Sequence, residues 1–234
     1  MANNTPANKN QASPRDTAPD WEERTVQRVV ETGREQLLER SRKIVEAAYE
    51  LLEEGLEELT IRAVLGKTGL SRRAFYERFS GKDDLVLAVF EHTIRRAESH
   101  YREQIQPLAD PLERLHLIVS CLVCGREALD ANERDRGDRR GAAMSREHLR
   151  LAESRPEELQ AALRPLISLI AEQLADGMAV GAVRDADPHR LASLVYNLVS
   201  TTVHTELLSP VTARADREQL AGEIWAFCRQ AVAA

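Results

Sequence analysis

Apolar residues recur at helical spacing along most of this chain. Ile61, Val64 and Leu65 stand at i, i+3 and i+4. Leu191, Leu194, Val195, Leu198, Val199 and Leu208 form one long stripe, and Leu220, Ile224, Phe227 and Val232 form another. Runs of alternating β-branched residues are missing, so the pattern predicts an all-α protein. Capping signals place the helix starts. Asp20 with Glu23, Ser80 with Asp83, Asp110-Pro111 with Glu113, Ser154-Arg155-Pro156-Glu157 and Asp187-Pro188 each read as an N-terminus, since proline is tolerated in a first turn. The helices predicted from these marks run at about 21–38, 40–54, 83–105, 111–130, 141–153, 156–179, 188–208 and 214–232. The charged, glycine-containing segment from Asn132 to Gly141 reads as a loop. Residues 1–19, polar and carrying Pro6, Pro14 and Pro19, read as a disordered tail.

The stretch from Leu59 to Lys82 breaks the monotony. It reads as a short helix, a glycine-containing turn and a second short helix. Thr60 can cap the first, because its hydroxyl accepts from an orphan backbone N–H. Gly69 supplies the turn, where positive φ is cheap without a Cβ. Leu70 plugs the corner, and Ser71 can cap the second helix. Phe75 and Phe79 face the core, which turns Arg72, Arg73 and Tyr76 outward. The chain has a net charge of −6, yet between Thr60 and Lys82 it places six basic residues (Arg62, Lys67, Arg72, Arg73, Arg78, Lys82) against one acid, Glu77. A local excess of positive charge on an acidic protein is a basic face of the kind that approaches phosphate.

These residues resemble the DNA-binding domain of the TetR (tetracycline-repressor) family of bacterial regulators. Ile44, Ala47 and Ala48 match a first helix that ends at Gly55. Leu59-Thr60-Ile61-Arg62 matches the opening of the second, Gly69-Leu70-Ser71 the turn, Phe75-Tyr76 and Phe79 the third, and Lys82 with Leu85 the start of a fourth. The resemblance covers roughly residues 40–95; beyond that only the helical layout is shared. It implies an N-terminal helix-turn-helix, three-helix DNA-binding domain followed by a helical ligand-binding and dimerisation domain. The divisions are a tail at 1–19, an extra helix at 20–38, the DNA-binding domain at 39–82 and the second domain at 83–234. Carried over by position, Arg62, Arg72 and Arg73 reach base edges, while Thr60, Ser71, Tyr76, Arg78 and Lys82 hold phosphates. Two departures stand out. Leu65 sits where the family favours a small alanine, and Gly66 follows it; a glycine within a helix costs about 1 kcal/mol relative to alanine, which predicts a short or displaced helix there. Arg73 occupies a position that is often small in the family, which bears on the operator sequence and not on the fold.

Composition narrows the remaining classes. No run of some 18 apolar residues exists to span a membrane. The N-terminus lacks the apolar centre of a signal peptide, and three cysteines point to a reducing cytoplasm. Gly66-Lys67-Thr68 resembles the end of a phosphate-binding loop, but Ile61 stands where that loop needs a glycine. Cys121 and Cys124 have metal-like spacing with His116 upstream; they lie in an apolar helix without a second ligand pair and read as small buried residues. His148 and His204 are isolated in sequence. No catalytic set and no metal or cofactor site can be assembled by spacing, so an enzyme is not expected.

The reading is a cytoplasmic, homodimeric, ligand-responsive repressor. It binds a palindromic double-stranded DNA operator and leaves it when a small, largely apolar effector binds. Leu191, Leu194, Val195, Leu198, Leu220, Ile224 and Phe227 are the candidate dimer interface, as the resemblance implies; the same stripes could instead close the monomer core. His116, Cys121, Met144, His148 and Leu166 are candidate effector contacts. The alternative is a helical small-molecule-binding or scaffold protein with a vestigial DNA head.

Overall fold

The protein is described by a computed structural model over residues 20–55, 57–125, 131–209 and 216–234; the side chains at 20 and 131–136 also lie outside the description. The proposed tail at 1–19 is therefore outside it. The chain divides into two compact units, residues 1–42 and 43–234.

Helix α1 spans Asp20–Leu51 and belongs to the first unit up to residue 42. The predicted break near residue 39 is absent. Leu38-Glu39-Arg40 contains no glycine or proline, and all three residues propagate a helix well. Within the first unit, Trp21, Val26, Val29, Val30, Leu37 and Leu38 are exposed.

The second unit begins with a helix-turn-helix head. Ile44, Ala47, Ala48 and Leu51 at the end of α1 are buried, as are Leu52, Leu59, Val64, Phe75 and Phe79. Helix α2 spans Ile61–Thr68 and α3 spans Arg72–Tyr76. Thr60 caps α2 by accepting from the Ala63 amide at 3.1 Å, and Ser71 caps α3 by accepting from the Ala74 amide at 3.1 Å. Between them Gly69 adopts φ 67°, the left-handed conformation its missing Cβ permits. Gly66 lies inside α2 with open space around it, so the helix keeps its eight residues in spite of the propensity cost.

Helix α4, Lys82–Ile105, leads from the head into the body. Its cap differs from the expected Ser80–Asp83 pair. Gly81 occupies the N-cap, and the Ser80 amide and hydroxyl both donate to Asp84 Oδ2, at 3.0 and 2.7 Å. The body continues with α5 (Pro111–Cys124), α6 (Ala131–Ser154), α7 (Pro156–Ala179), α8 (Pro188–Leu208) and α9 (Arg217–Val232). Asp110, Asp187 and Asp216 cap their helices through side-chain oxygens, whereas Arg155 precedes α7 without a side-chain cap.

Helix α7 is the centre of the body, packed against α4, α5, α6 and α8, while α9 lies along α5. Leu166, Leu169, Ile170 and Leu174 on α7 are fully buried. Where α7 ends, Gly177 lets Val183 approach so closely that an added Cβ would lie 2.5 Å from Val183 Cγ2. The Arg184 amide then donates to the Val232 carbonyl at 3.0 Å, tying this turn to the end of α9.

The loop expected at 132–141 is helix instead, the first part of α6. Its two glycines mislead. Gly141 packs against Leu207 of α8, whose Cδ1 would lie 3.0 Å from an added Cβ, so this glycine marks close helix packing and not a turn. Helix α5 stops at Cys124, short of the expected residue 130, with Gly125 at φ 73° as its C-cap.

Candidate DNA-facing surface and body cavity

The short helix α3 is held from beneath by Phe75 and Phe79, whose rings meet at 5.5 Å in the head core. A helix anchored by one face must present the other. That other face carries Arg72, Arg73 and Tyr76, all exposed; the Tyr76 ring is 57% exposed and packs edge-on against Phe75. The Arg73 side chain is 90% exposed, with its Nε 3.0 Å from Glu77. An exposed pair of this kind is worth little and exchanges readily for a stronger acceptor. Arg62, Arg72 and Lys82 are exposed and have no ionic partner among the described residues. The hydroxyls of Thr60 and Ser71 accept the caps, and each retains its O–H as a donor.

Two members of the basic stretch are engaged by neighbouring groups of the protein, Lys67 at the surface and Arg78 beneath it. Lys67 Nζ lies 2.8 Å from Glu50, and this hydrogen bond holds its pKa above the ordinary lysine value. Arg78 lies on the same side of the turn as Phe75, three residues on. Its side chain is only 5% exposed; Nη1 donates to the Ala74 carbonyl and lies 3.5 Å from Glu77. Arg78 thus braces the end of α3 from within, away from the surface where a phosphate would be met.

The body holds a cavity of about 300 Å³ between α4, α5, α6, α8 and α9. Phe90 and Ile94 line it from α4, Leu122 and Val123 from α5, Met144 and His148 from α6, Tyr196 and His204 from α8, and Leu220 from α9. Of the expected effector contacts, Met144 and His148 line this cavity. Leu166 does not, because it sits in the solid core of α7. His116 is exposed and stacks on Trp225 at 4.8 Å, and Cys121 is half-buried on α5 outside the lining. Tyr196 carries no signal in the sequence, and His204 reads there only as an isolated histidine; both stand on the helix whose apolar stripe is assigned to dimerisation. His148 and His204 meet edge to face at 4.7 Å. Burial holds the pKa of both below the ordinary histidine value; at His204, burial and then the neighbouring His148 bring it to about 4.

Helix α6 connects this cavity to the head. Arg140 donates to the Tyr49 hydroxyl and to the Glu53 carboxylate, with its guanidinium 4.2 Å from the Tyr49 ring centre. Arg139 donates to the Glu53 carbonyl at 2.8 Å. Further along, Arg150 pairs with Asp83 at 3.1 Å and Arg155, just past the helix, pairs with Asp84 at 3.0 Å. Met144, Ser145 and His148 lie between these anchors and line the cavity.

The expected interface residues divide. Leu191, Val195 and Ile224 are buried in the protein's own core, and Leu198 and Leu220 are half-buried against it. Leu194 and Phe227 are 59% and 62% exposed. Among the described residues, no group of three or more histidine, cysteine or acidic side chains is placed to hold a metal. No described helix is long and apolar enough to cross a membrane.

Comparison with known proteins agrees with this layout. Residues 44–89 match the family model of bacterial regulatory proteins, tetR family. No curated protein matches. The fold resembles FadR from Bacillus subtilis in complex with stearoyl-CoA, with a TM-score of 0.61 and 18% identity over 80% of this chain and 96% of that one. It also resembles a protein from Saccharomonospora viridis in complex with choline (TM-score 0.61, 19% identity, 84% and 98% covered). A third similar structure is RolR in complex with resorcinol (TM-score 0.62, 17% identity, 85% and 89% covered). Residues 44–89 therefore match the tetR family of bacterial regulatory proteins, and the chain shares its overall helical fold with these solved structures.

Proposed function

We propose that this protein is a cytoplasmic, dimeric regulator of transcription that represses from a palindromic operator and is released by a small molecule bound in the body. The observation that carries the reading is the pairing of an exposed basic face on α3 with a cavity in the body, joined by one helix, α6. In the DNA complex, Arg62, Arg72 and Arg73 read base edges, while Thr60, Ser71, Tyr76 and Lys82 hold phosphates. Arg78 drops out of the phosphate set, since its guanidinium is used internally.

Dimerisation rests on α8 and α9. Leu194 and Phe227 are large apolar side chains left in water by the monomer, and a second copy would cover them. A two-fold protein then reads two half-sites. The similar structures were obtained with ligands as different as stearoyl-CoA, choline and resorcinol. A cavity in this fold thus supports the idea of an effector and leaves its chemistry to the lining.

An effector shifts the DNA-binding balance only through different affinities for the DNA-fitting and non-fitting states. A swing from 99:1 to 1:99 takes about 5.5 kcal/mol, which two cavities in a dimer could share. Helix α6 supports such a coupling, because it lines the cavity and is bonded to Tyr49 and Glu53 in the head.

The test begins with selection of an operator from random double-stranded DNA, followed by fluorescence anisotropy. The reading predicts an enriched palindrome, affinity that falls steeply with salt, and loss of preference in Arg72→Ala. No enriched sequence and equal affinity for all duplexes would leave only a helical binding protein with an idle head.

A further inference from the structure

Two imidazoles stand in the cavity wall without a hydrogen-bond partner among the described residues. Among the described residues, neither His148 nor His204 has a hydrogen bond to another protein group; their contacts are with each other and, for His148, with the Phe90 ring at 5.6 Å. Both rings are half-buried, and polar groups drawn partly out of bulk water tend to find a partner. Here the side facing the cavity is where one would come from.

The chemistry of the pair restricts that partner. Burial favours the neutral form of both rings. A neutral imidazole offers one N–H donor and one bare nitrogen acceptor. A hydroxyl donates and accepts through a single atom, so one hydroxyl can serve both rings. A carboxylate can only accept, and would need a free cation. Arg217, at the rim, already donates to Asp138 and to the Cys124 carbonyl. An ammonium would need a free anion or a cage of aromatic faces; Glu206, the acid in the wall, is itself engaged, and Phe90 and Tyr196 are the benzenoid rings of the described lining, fewer than a cage needs. Size narrows the class further. A cavity of about 150 Å³ accepts benzene, and this one, at about 300 Å³, takes a substituted ring against Phe90, Met144 and Tyr196.

We infer that His148 and His204 together bind the hydroxyl of an uncharged, ring-sized molecule, and that the cavity selects phenols over hydrocarbons, carboxylates and ammonium ions of the same shape. This rests on the reading of the cavity as the effector site.

The experiment is calorimetric titration of the full chain with four probes of one shape: p-cresol, p-xylene, 4-methylbenzoate and (4-methylbenzyl)trimethylammonium. The proposal predicts that p-cresol binds about tenfold or more tightly than p-xylene, as expected where a site is built to bond a hydroxyl. His148→Phe and His204→Phe each lower p-cresol affinity by about tenfold and leave p-xylene within about twofold. Retained p-xylene binding shows that the cavity is intact in each variant. His204→Gln, which keeps a donor and an acceptor, recovers part of the loss. Equal binding of p-cresol and p-xylene, or tighter binding of the carboxylate or the ammonium, overturns the phenol assignment and leaves the cavity reading standing. No binding by any of the four overturns both.

Discussion

The head and the body of this protein solve opposite problems with the same element. In the head, a short helix is fixed from one side by Phe75 and Phe79 so that its other side can carry charge into solvent. In the body, five helices lean together and leave a space among them in whose wall two histidines meet edge to face. The recognition surface of the head comes from some two dozen consecutive residues. The cavity comes from side chains as far apart in sequence as Phe90 and Leu220. Local recognition can be written in a motif; enclosed recognition has to be assembled by packing. The first can stay constant while the second varies, which suits the proposed regulator, with one kind of partner at the head and another in the body.

The difference yields predictions of decreasing size. Breaking the two-fold assembly should have the largest effect. Leu194→Glu combined with Phe227→Glu places charges at positions exposed in the monomer, so folding survives while self-association does not. Sedimentation should shift from dimer to monomer, and operator affinity should fall by about 100-fold or more as the second half-site is lost. A wild-type monomer at micromolar concentration would remove the dimer from the account.

Next, Arg72→Ala should cost about 1–3 kcal/mol of operator binding and relax the base preference, whereas Lys82→Ala should weaken all duplexes alike and lower the salt slope by roughly 1. Arg78→Ala separates the head's surface from its interior. It should lower the melting temperature and leave the salt slope unchanged, since its guanidinium bonds the Ala74 carbonyl. A reduced salt slope in that variant would return Arg78 to the phosphate contacts.

In the body, Gly177→Ala should destabilise by about 1–3 kcal/mol, because the new methyl meets Val183 on a turn tied to α9. Unchanged melting would show that this turn yields.

The smallest effect is on pH. The folded-state pKa of His204 is held down to about 4, and that of His148 is lowered as well. Below the ordinary histidine value near 6.5, the unfolded chain takes up protons that the folded one refuses. Stability is therefore full above that value and is lost as pH falls toward 4. The melting temperature should drop by a few degrees between about pH 7.5 and pH 5, and His204→Phe should flatten that part of the profile.

The same contrast decides what the sequence could reveal. Helices α7 and α8 match their expected bounds because Pro156 and Pro188 mark their first turns without competition. The head was legible through Thr60, Gly69 and Ser71, whose roles are settled by near neighbours. Arg78, grouped in sequence with the phosphate contacts, lies in the turn just past α3 with its side chain buried, and helical spacing does not reach beyond the helix end. Helix α6 was obscured for a physical reason. Gly137 and Gly141 imitate a turn, but Arg139 and Arg140 gain Tyr49 and Glu53 as partners only once the helix has formed beside the head. Leu191 and Leu194 lie three residues apart on one apolar stripe, yet one is core and the other is exposed. Periodicity identifies a buried face and cannot say where its edge falls. The His148–His204 pair spans two helices far apart in sequence, and no spacing rule could have joined them.

On the proposed function, occupancy of the body cavity governs the hold of the head on DNA through α6. The direct measurement is operator affinity of wild type and Arg140→Met, each with and without a saturating ligand that raises the melting temperature of both. The account predicts that the ligand weakens operator binding of the wild type by about tenfold or more, and that Arg140→Met binds both ligand and operator but loses most of that coupling. Operator affinity unchanged by the ligand in the wild type, or coupling of equal size in Arg140→Met, would contradict it.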